Sequence, residues 1–195
     1  MIKWGVISTG NISKAFCDSI RYSKEAELAA VASRSSKNLK HFSDKYGVET
    51  YDSYNALLND STIDAIYIGT PHSSHFDLSL KTLRSGKNLL CEKPMTMNST
   101  EAMILLNESR RQNLFFMEAF MYRCHPLTHK MLEFVKQEFA NQEVLIESSF
   151  GFVADVEESH RLKNPELGGG SILDIGCYPL SMVRLIAGNL MENSF

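Results

Sequence analysis

Short apolar runs alternate with longer amphipathic stretches through the first 119 residues of this 195-residue chain. Trp4-Gly5-Val6-Ile7 predicts a buried strand. Ile12 to Arg21 follows, with Ile12, Ala15, Phe16 and Ile20 spaced for one helical face. Leu28 to Ala32 predicts a second strand, and residues 36–46 a helix with Gly47 where a carboxyl-terminal cap belongs. Residues 53–58 predict a short helix, Ile63 to Ile68 a strand, and residues 74–85 a helix stopped by Gly86. Asn88 to Cys91, residues 98–112 and Leu114 to Met117 then read as strand, helix and strand. The strands are continuously apolar, the pattern of a sheet covered on both faces. Strands alternating with helices of this length predict βαβ units and a parallel, doubly wound sheet.

Beyond residue 120 the pattern changes. A helix around residues 125–138 leads to an apolar, β-rich run, Val144 to Val153. A polar loop follows, and Gly168-Gly169-Gly170 opens an amphipathic helix over residues 171–187. Helix, strand, loop and helix in that order predict a second, α+β domain. The boundary expected from this change is 1–119 for the first domain and 120–195 for the second.

Composition narrows the functional classes. A hydrophobic content of 44% and a charged content of 22% are those of an ordinary globular chain. The net charge of -3 gives no electrostatic basis for a nucleic-acid or anionic-membrane partner. The uninterrupted apolar runs are only strand-length, so no bilayer-spanning segment is expected. Met1-Ile2-Lys3-Trp4-Gly5 lacks the apolar core of a signal peptide, and a cytoplasmic location is expected. Cys17, Cys91, Cys124 and Cys177 lie far apart without a CxxC pair, so thiols rather than disulfides are expected. Cys124, His125 and His129 are neighbours, but no second cluster completes a tetrahedral site, and no metal is expected.

Four constellations carry chemistry. Ser8-Thr9-Gly10-Asn11-Ile12-Ser13 follows the first strand. A dinucleotide site needs a tight turn there, a glycine where backbone meets pyrophosphate, and a small residue where helix packs on strand. Ser8, Gly10 and Ser13 occupy those positions, and the pyrophosphate would sit on free amides at the helix start. Ala32-Ser33-Arg34-Ser35 ends the second strand without the acid that binds a ribose 2′-hydroxyl. Arg34 offers a two-pronged bond to a 2′-phosphate instead, which points to NADP rather than NAD. Glu92-Lys93-Pro94 follows the strand ending at Cys91, at the rim where open α/β sheets bind ligands. In the last helix Asp174 and Tyr178 are four residues apart and are expected to share a face.

Read together, these residues resemble the Gfo/Idh/MocA oxidoreductases. Within that family the resemblance is to the branch of dimeric dihydrodiol dehydrogenases and NADP-dependent D-xylose dehydrogenases. It is carried by Trp4 to Ile12, Val31 to Ser35, Ile66 to His75, Leu89 to Pro94, Met117 to Pro126, and the glycine-rich run ending in Tyr178-Pro179. The resemblance implies a Rossmann-type doubly wound sheet followed by an α+β domain that is incomplete here. It implies that Lys93 is the catalytic lysine, that Tyr178 stands at the substrate carbon, and that Asp174 is the acid of the same helix. Ser8, Gly10, Asn11 and Ile12 match the pyrophosphate turn, and Ser33 and Arg34 the adenosine-phosphate contacts of NADP users. Thr70, Pro71, His72 and His75 match the loop lining the nicotinamide, Glu92 a cofactor contact beside it, and Arg123 a position near the cofactor. The implied activity is hydride transfer between nicotinamide and a hydroxyl carbon of a sugar, cyclic polyol or trans-dihydrodiol, in a homodimer when the chain is full length. The alternative is a truncated chain that binds NADP without turnover.

Overall fold

In a computed structural model of the chain, residues 1–140, 142–157 and 159–191 are described. They fall into two compact units, Met1–Ala119 and a second beginning at Phe120.

The first unit is built on six parallel strands: β1 (Ile2–Ile7), β2 (Ala26–Ala32), β3 (Glu49–Tyr51), β4 (Ala65–Ile68), β5 (Asn88–Cys91) and β6 (Phe116–Glu118). Their spatial order is β3-β2-β1-β4-β5-β6, so the chain winds one way from β1 to β3 and the other way from β4 to β6. Five helices connect them: α1 (Asn11–Ile20), α2 (Ser36–Tyr46), α3 (Tyr54–Asn59), α4 (His75–Arg84) and α5 (Ser99–Gln112).

The two-residue period of the strands sorts the core onto two faces. Val6, Val31 and Tyr67 point to one and pack with Cys17 of α1 and Leu39 and Phe42 of α2. Ile7, Ile66, Ile68 and Leu89 point to the other, against Leu57, Leu58, Leu78, Leu83 and Leu105 of α3, α4 and α5. Covering both faces explains why the strands read as unbroken apolar runs. Full burial of one such side chain contributes roughly 1.5–3 kcal/mol.

Local chemistry sets the ends. The Ser35 hydroxyl accepts from the Asn38 amide and starts α2, and Gly47, left-handed at φ 66°, ends it as expected. Asn98 caps α5 through the Glu101 amide. The last strand begins two residues later than the sequence predicts. The Leu114 amide goes to the Ser109 carbonyl and the Phe115 amide to Asn88 Oδ1, so neither amide donates to a strand backbone. The strand β3 is an addition to the expected series.

The second unit holds α6 (Pro126–Phe139), a π-helical turn (Ile172–Gly176) and α7 (Cys177–Met191). The strand expected over Val144 to Val153 does not form among the described residues. A strand exists through its ladder, and no described segment pairs with this one; Leu145 and Val153 stand 86% and 98% exposed. By length and composition alone Pro165–Gly188, with mean hydropathy 1.2, is long and apolar enough to cross a bilayer.

Candidate functional site

The reversal of strand order between β1 and β4 opens a crevice at their carboxyl ends, the place where open α/β sheets bind ligands. Ser8 leaves β1 with φ 108°, a conformation that favours glycine. Its hydroxyl accepts a hydrogen bond from the Gly10 amide at 3.1 Å. Gly10 caps α1 without a side-chain bond, and the first turn holds no acid. The amides that open α1 at Asn11 and Ile12 therefore project toward the crevice with the helix dipole behind them. A Cβ on Gly10 would lie 3.4 Å from Ser8 Oγ and 3.8 Å from the Gly69 carbonyl oxygen, in ordinary contact with both.

Ser13 takes the position where a third glycine would bring helix against sheet. The compensating glycine is Gly69, just past β4. A Cβ there would fall onto Ser13 Oγ and within 3.1 Å of the Tyr67 ring and 3.2 Å of Ile12. Close approach of α1 is thus retained with the small residue moved to the facing strand. Amides without an acidic neighbour and an open glycine suit a diphosphate, so the turn fits the dinucleotide that its sequence implies.

At the end of β2, Arg34 is exposed and no acid adjoins it. Ser33 is placed differently from expectation. It is 6% exposed, and its hydroxyl lies 3.0 Å from Thr9 Oγ1 and accepts the Ser35 amide at 3.2 Å. Asn38 Nδ2 donates to the same Thr9 oxygen at 3.3 Å. Ser33 is thus a strut tying the β1 turn to the β2 turn, while Arg34 is open to solvent.

Beyond β5, the Glu92 amide donates to the Ile68 carbonyl at 2.9 Å, which holds this loop against the end of β4. Tyr67 donates to Glu92 Oε1 at 2.7 Å, and the Lys93 amide donates to Oε2 at 3.3 Å. Tyr67 is itself stacked on Phe16 with ring centres 4.1 Å apart, and Phe16 meets Trp4 edge-on. Burial first, and the neighbouring Glu92 charge next, push the Tyr67 phenol well above its ordinary range, so it stays a donor. Lys93 is half-buried and its bond to Pro94 is cis. Because every strand is parallel, Lys93 leaves the sheet on the same rim as Ser8, Ser33 and Thr70.

The loop after β4 divides into open and closed positions. Thr70 is half-buried and its Oγ1 accepts from Ser74 at 2.8 Å; Pro71 is exposed, and His72 is buried. His75 corrects expectation. It is fully buried, with Nδ1 2.7 Å from the Pro94 carbonyl oxygen and Nε2 2.8 Å from that of Thr70. It cross-links the two rim loops and has no face left for a ligand. Burial holds its pKa below the ordinary 6.5.

In the second unit Tyr178 sits in an aromatic cluster. Its ring meets Phe120 at 5.5 Å and Phe150 at 5.4 Å, both edge-on, and lies 6.1 Å from Tyr122. Tyr122, Phe150, Pro179 and Met182 join it around a cavity of about 360 Å³. Asp174 is buried in the π-helical turn, with Arg161 Nη1 3.4 Å from Oδ1. Arg123 lies exposed on a 3₁₀ turn, Met121–Cys124.

Three positioning residues escaped sequence reasoning: Thr9, Asn38 and Tyr67. Their partners are 24, 29 and 25 residues away, so no local pattern marks them.

Comparison with known proteins adds the following. A family profile described as an oxidoreductase family with an NAD-binding Rossmann fold, GFO_IDH_MocA, matches residues 2–120. The D-xylose 1-dehydrogenase (NADP(+)) of Hypocrea jecorina is 34% identical over 207 residues, covering 93% of this chain and 52% of the relative. The trans-1,2-dihydrobenzene-1,2-diol dehydrogenase of Xenopus tropicalis is 35% identical over 187 residues, covering 94% and 56%. A crystal structure of a 3-ketoreductase from Actinomadura kijaniata, in complex with NADP and TDP-benzene, superposes with a TM-score of 0.83 at 27% identity, over 95% of this chain and 57% of that one. The chain thus spans about half the length of the curated relatives it matches.

Proposed function

Because the chain belongs to the Gfo/Idh/MocA oxidoreductase family, we propose that it carries the NADP site and the catalytic lysine of a dehydrogenase acting on a hydroxyl carbon. The substrate class is a sugar, a cyclic polyol or a trans-dihydrodiol. One observation carries the reading: Lys93 leaves β5 on the same rim as the Gly10 turn, across an all-parallel sheet whose winding reverses between β1 and β4.

The residues divide the work. The amides of Asn11 and Ile12 hold diphosphate, and Arg34 selects a 2′-phosphate that an acid would repel. Bound nicotinamide would exchange hydride with the substrate at its C4. Lys93 Nζ holds the reacting oxygen and moves its proton. Glu92, fixed by Tyr67, and His75, fixed between two carbonyls, keep the Lys93 loop in place. Asp174 orients neighbouring donors. The free thiols of Cys17, Cys91 and Cys124 support a cytoplasmic setting, and a second copy of the chain is the proposed protein partner.

The test combines binding with turnover. NADPH and NADH are titrated by fluorescence, and oxidation of D-xylose, cyclic polyols and trans-dihydrodiols is assayed for the chain and for Lys93→Met. NADPH should bind about tenfold or more tighter than NADH, since one Arg–phosphate bond is gained. Lys93→Met should lose roughly 10²–10⁴-fold in turnover while keeping NADPH. Failure to bind either nucleotide removes the proposal. A second reading is that the chain binds NADP without turnover. NADPH binding with no oxidation of any substrate selects it.

A further inference from the structure

We infer that Glu118 is a positioning residue for Lys93, acting through the peptide group that joins Pro94 to Met95. That Lys93 is the catalytic group rests on the function proposed above; the contacts that hold its loop do not. Glu118 ends β6, the edge strand, where it stands opposite Cys91 of β5. It is half-buried, and a carboxylate withdrawn from water needs a hydrogen-bond donor to offset the cost. The donor is the Met95 amide, 2.8 Å from Glu118 Oε1.

That amide is the one through which the lysine's loop can be fixed. Lys93 lies just past the end of β5, and its own amide reaches Glu92 Oε2 only at 3.3 Å. Pro94 has no amide hydrogen to give. Met95 therefore carries the next backbone donor. Its N–H and the Pro94 carbonyl belong to a single planar unit. His75 Nδ1 lies 2.7 Å from the oxygen of that unit, and Glu118 holds its nitrogen. The two anchors come from the end of β6 and from the loop after β4, the neighbours of β5 on either side. An anchor at the oxygen alone would let the plane swing about it. The second anchor sets its direction, and with it the path of the chain out of Lys93. Glu118 is itself placed by the strand that carries Lys93, since the Ala119 amide donates to the Cys91 carbonyl at 2.8 Å. The alternative is that Glu118 only fastens the sheet edge.

Lysine labelling separates the two and needs no cofactor. The 195-residue chain, Glu118→Ala and Glu118→Gln are treated with acetic anhydride well below their melting midpoints, and acetylation of each lysine is followed by mass spectrometry. The exposed Lys24 is the internal standard. In Glu118→Ala the Lys93 rate should rise about threefold or more relative to Lys24, as the half-buried side chain is released by local opening. Glu118→Gln keeps an oxygen that can accept from Met95, and its Lys93 rate should stay within about twofold of the unmodified chain. Where the chain oxidises a hydroxyl substrate, kcat of Glu118→Ala should fall roughly ten- to a hundredfold while NADPH Kd and substrate KM stay within about threefold. An unchanged Lys93 rate or an unchanged kcat in Glu118→Ala overturns the inference, and so does a Glu118→Gln as perturbed as Glu118→Ala. If Glu118→Ala lacks a cooperative melt, Glu118→Leu, which keeps the bulk without an acceptor, is read by the same criteria; loss of the melt in both marks an edge fastener and also overturns it. These outcomes leave the NADP site standing. Absence of NADPH binding by the unmodified chain removes the proposed function instead, and is seen without any variant or label.

Discussion

A Cβ added at Gly69 runs into Ser13, Tyr67 and Ile12, whereas one added at Gly151 meets nothing within 4 Å. The contrast between these two glycines holds for the two units they belong to. In the first unit, rim side chains are held by groups from neighbouring strands: Glu92 by Tyr67, His75 by Pro94 and Thr70, Ser33 by Thr9. In the second, Phe150, Phe152 and Val153 are all exposed, and Tyr178 is held by ring edges. A nucleotide-binding sheet supplies its own partners, because each βα unit covers its neighbour. The second unit carries apolar faces that the described residues do not cover.

The largest effect expected from breaking this comparison comes from one substitution made in both places. Gly69→Ala should destabilise the first unit by about 1–3 kcal/mol, since α1 must be displaced, while Gly151→Ala stays within about 0.5 kcal/mol. Urea unfolding followed by Trp4, the single tryptophan and part of β1, reads the first unit directly. Equal costs at the two glycines would erase the distinction.

A smaller effect belongs to His75. The unfolded ring takes a proton near the ordinary 6.5, and the folded ring only at lower pH, because burial opposes the charge. Between those values the unfolded state binds more protons, so this contribution is complete above about 6.5 and is lost as pH falls through the window. Urea midpoints at about pH 7.5 and about pH 5.5 should differ more for the chain than for His75→Gln. Equal pH dependence would mean that the ring titrates normally and the rim is looser than drawn here.

The smallest effect is expected at Val153, which is almost fully solvated. Val153→Lys should change the unfolding free energy by no more than about 0.5 kcal/mol, measured in the same urea series. A larger loss would show that this segment is packed in solution.

The order of strands and helices in the first unit was legible because each element carries its own period. The helix over 36–46 is the clearest case: a serine cap, two core positions at Leu39 and Phe42, and a left-handed Gly47. Glu49–Tyr51 escaped because three residues cannot display a period, and this strand exists through its pairing with β2. Val144 to Val153 failed in the opposite sense, since β-forming residues do not make a strand without a ladder. The places of Lys93, Gly10 and Arg34 on the carboxyl rim of the sheet were legible because a strand end or a turn marks them. The closed state of His75 and the strut formed by Ser33 were not, because both depend on groups brought together only by the fold.

That strut constrains how cofactor preference can change. The residues ending β2 are where an acid for a ribose hydroxyl would be introduced, yet Ser33 shares its oxygen with Thr9, which also receives Asn38. A carboxylate at 33 would meet a hydroxyl and a backbone amide already in place, and would shift the β1 turn as it altered the end of β2. Retargeting toward NAD is therefore easier from position 34, where the side chain is solvated and nothing in the β1 turn leans on it.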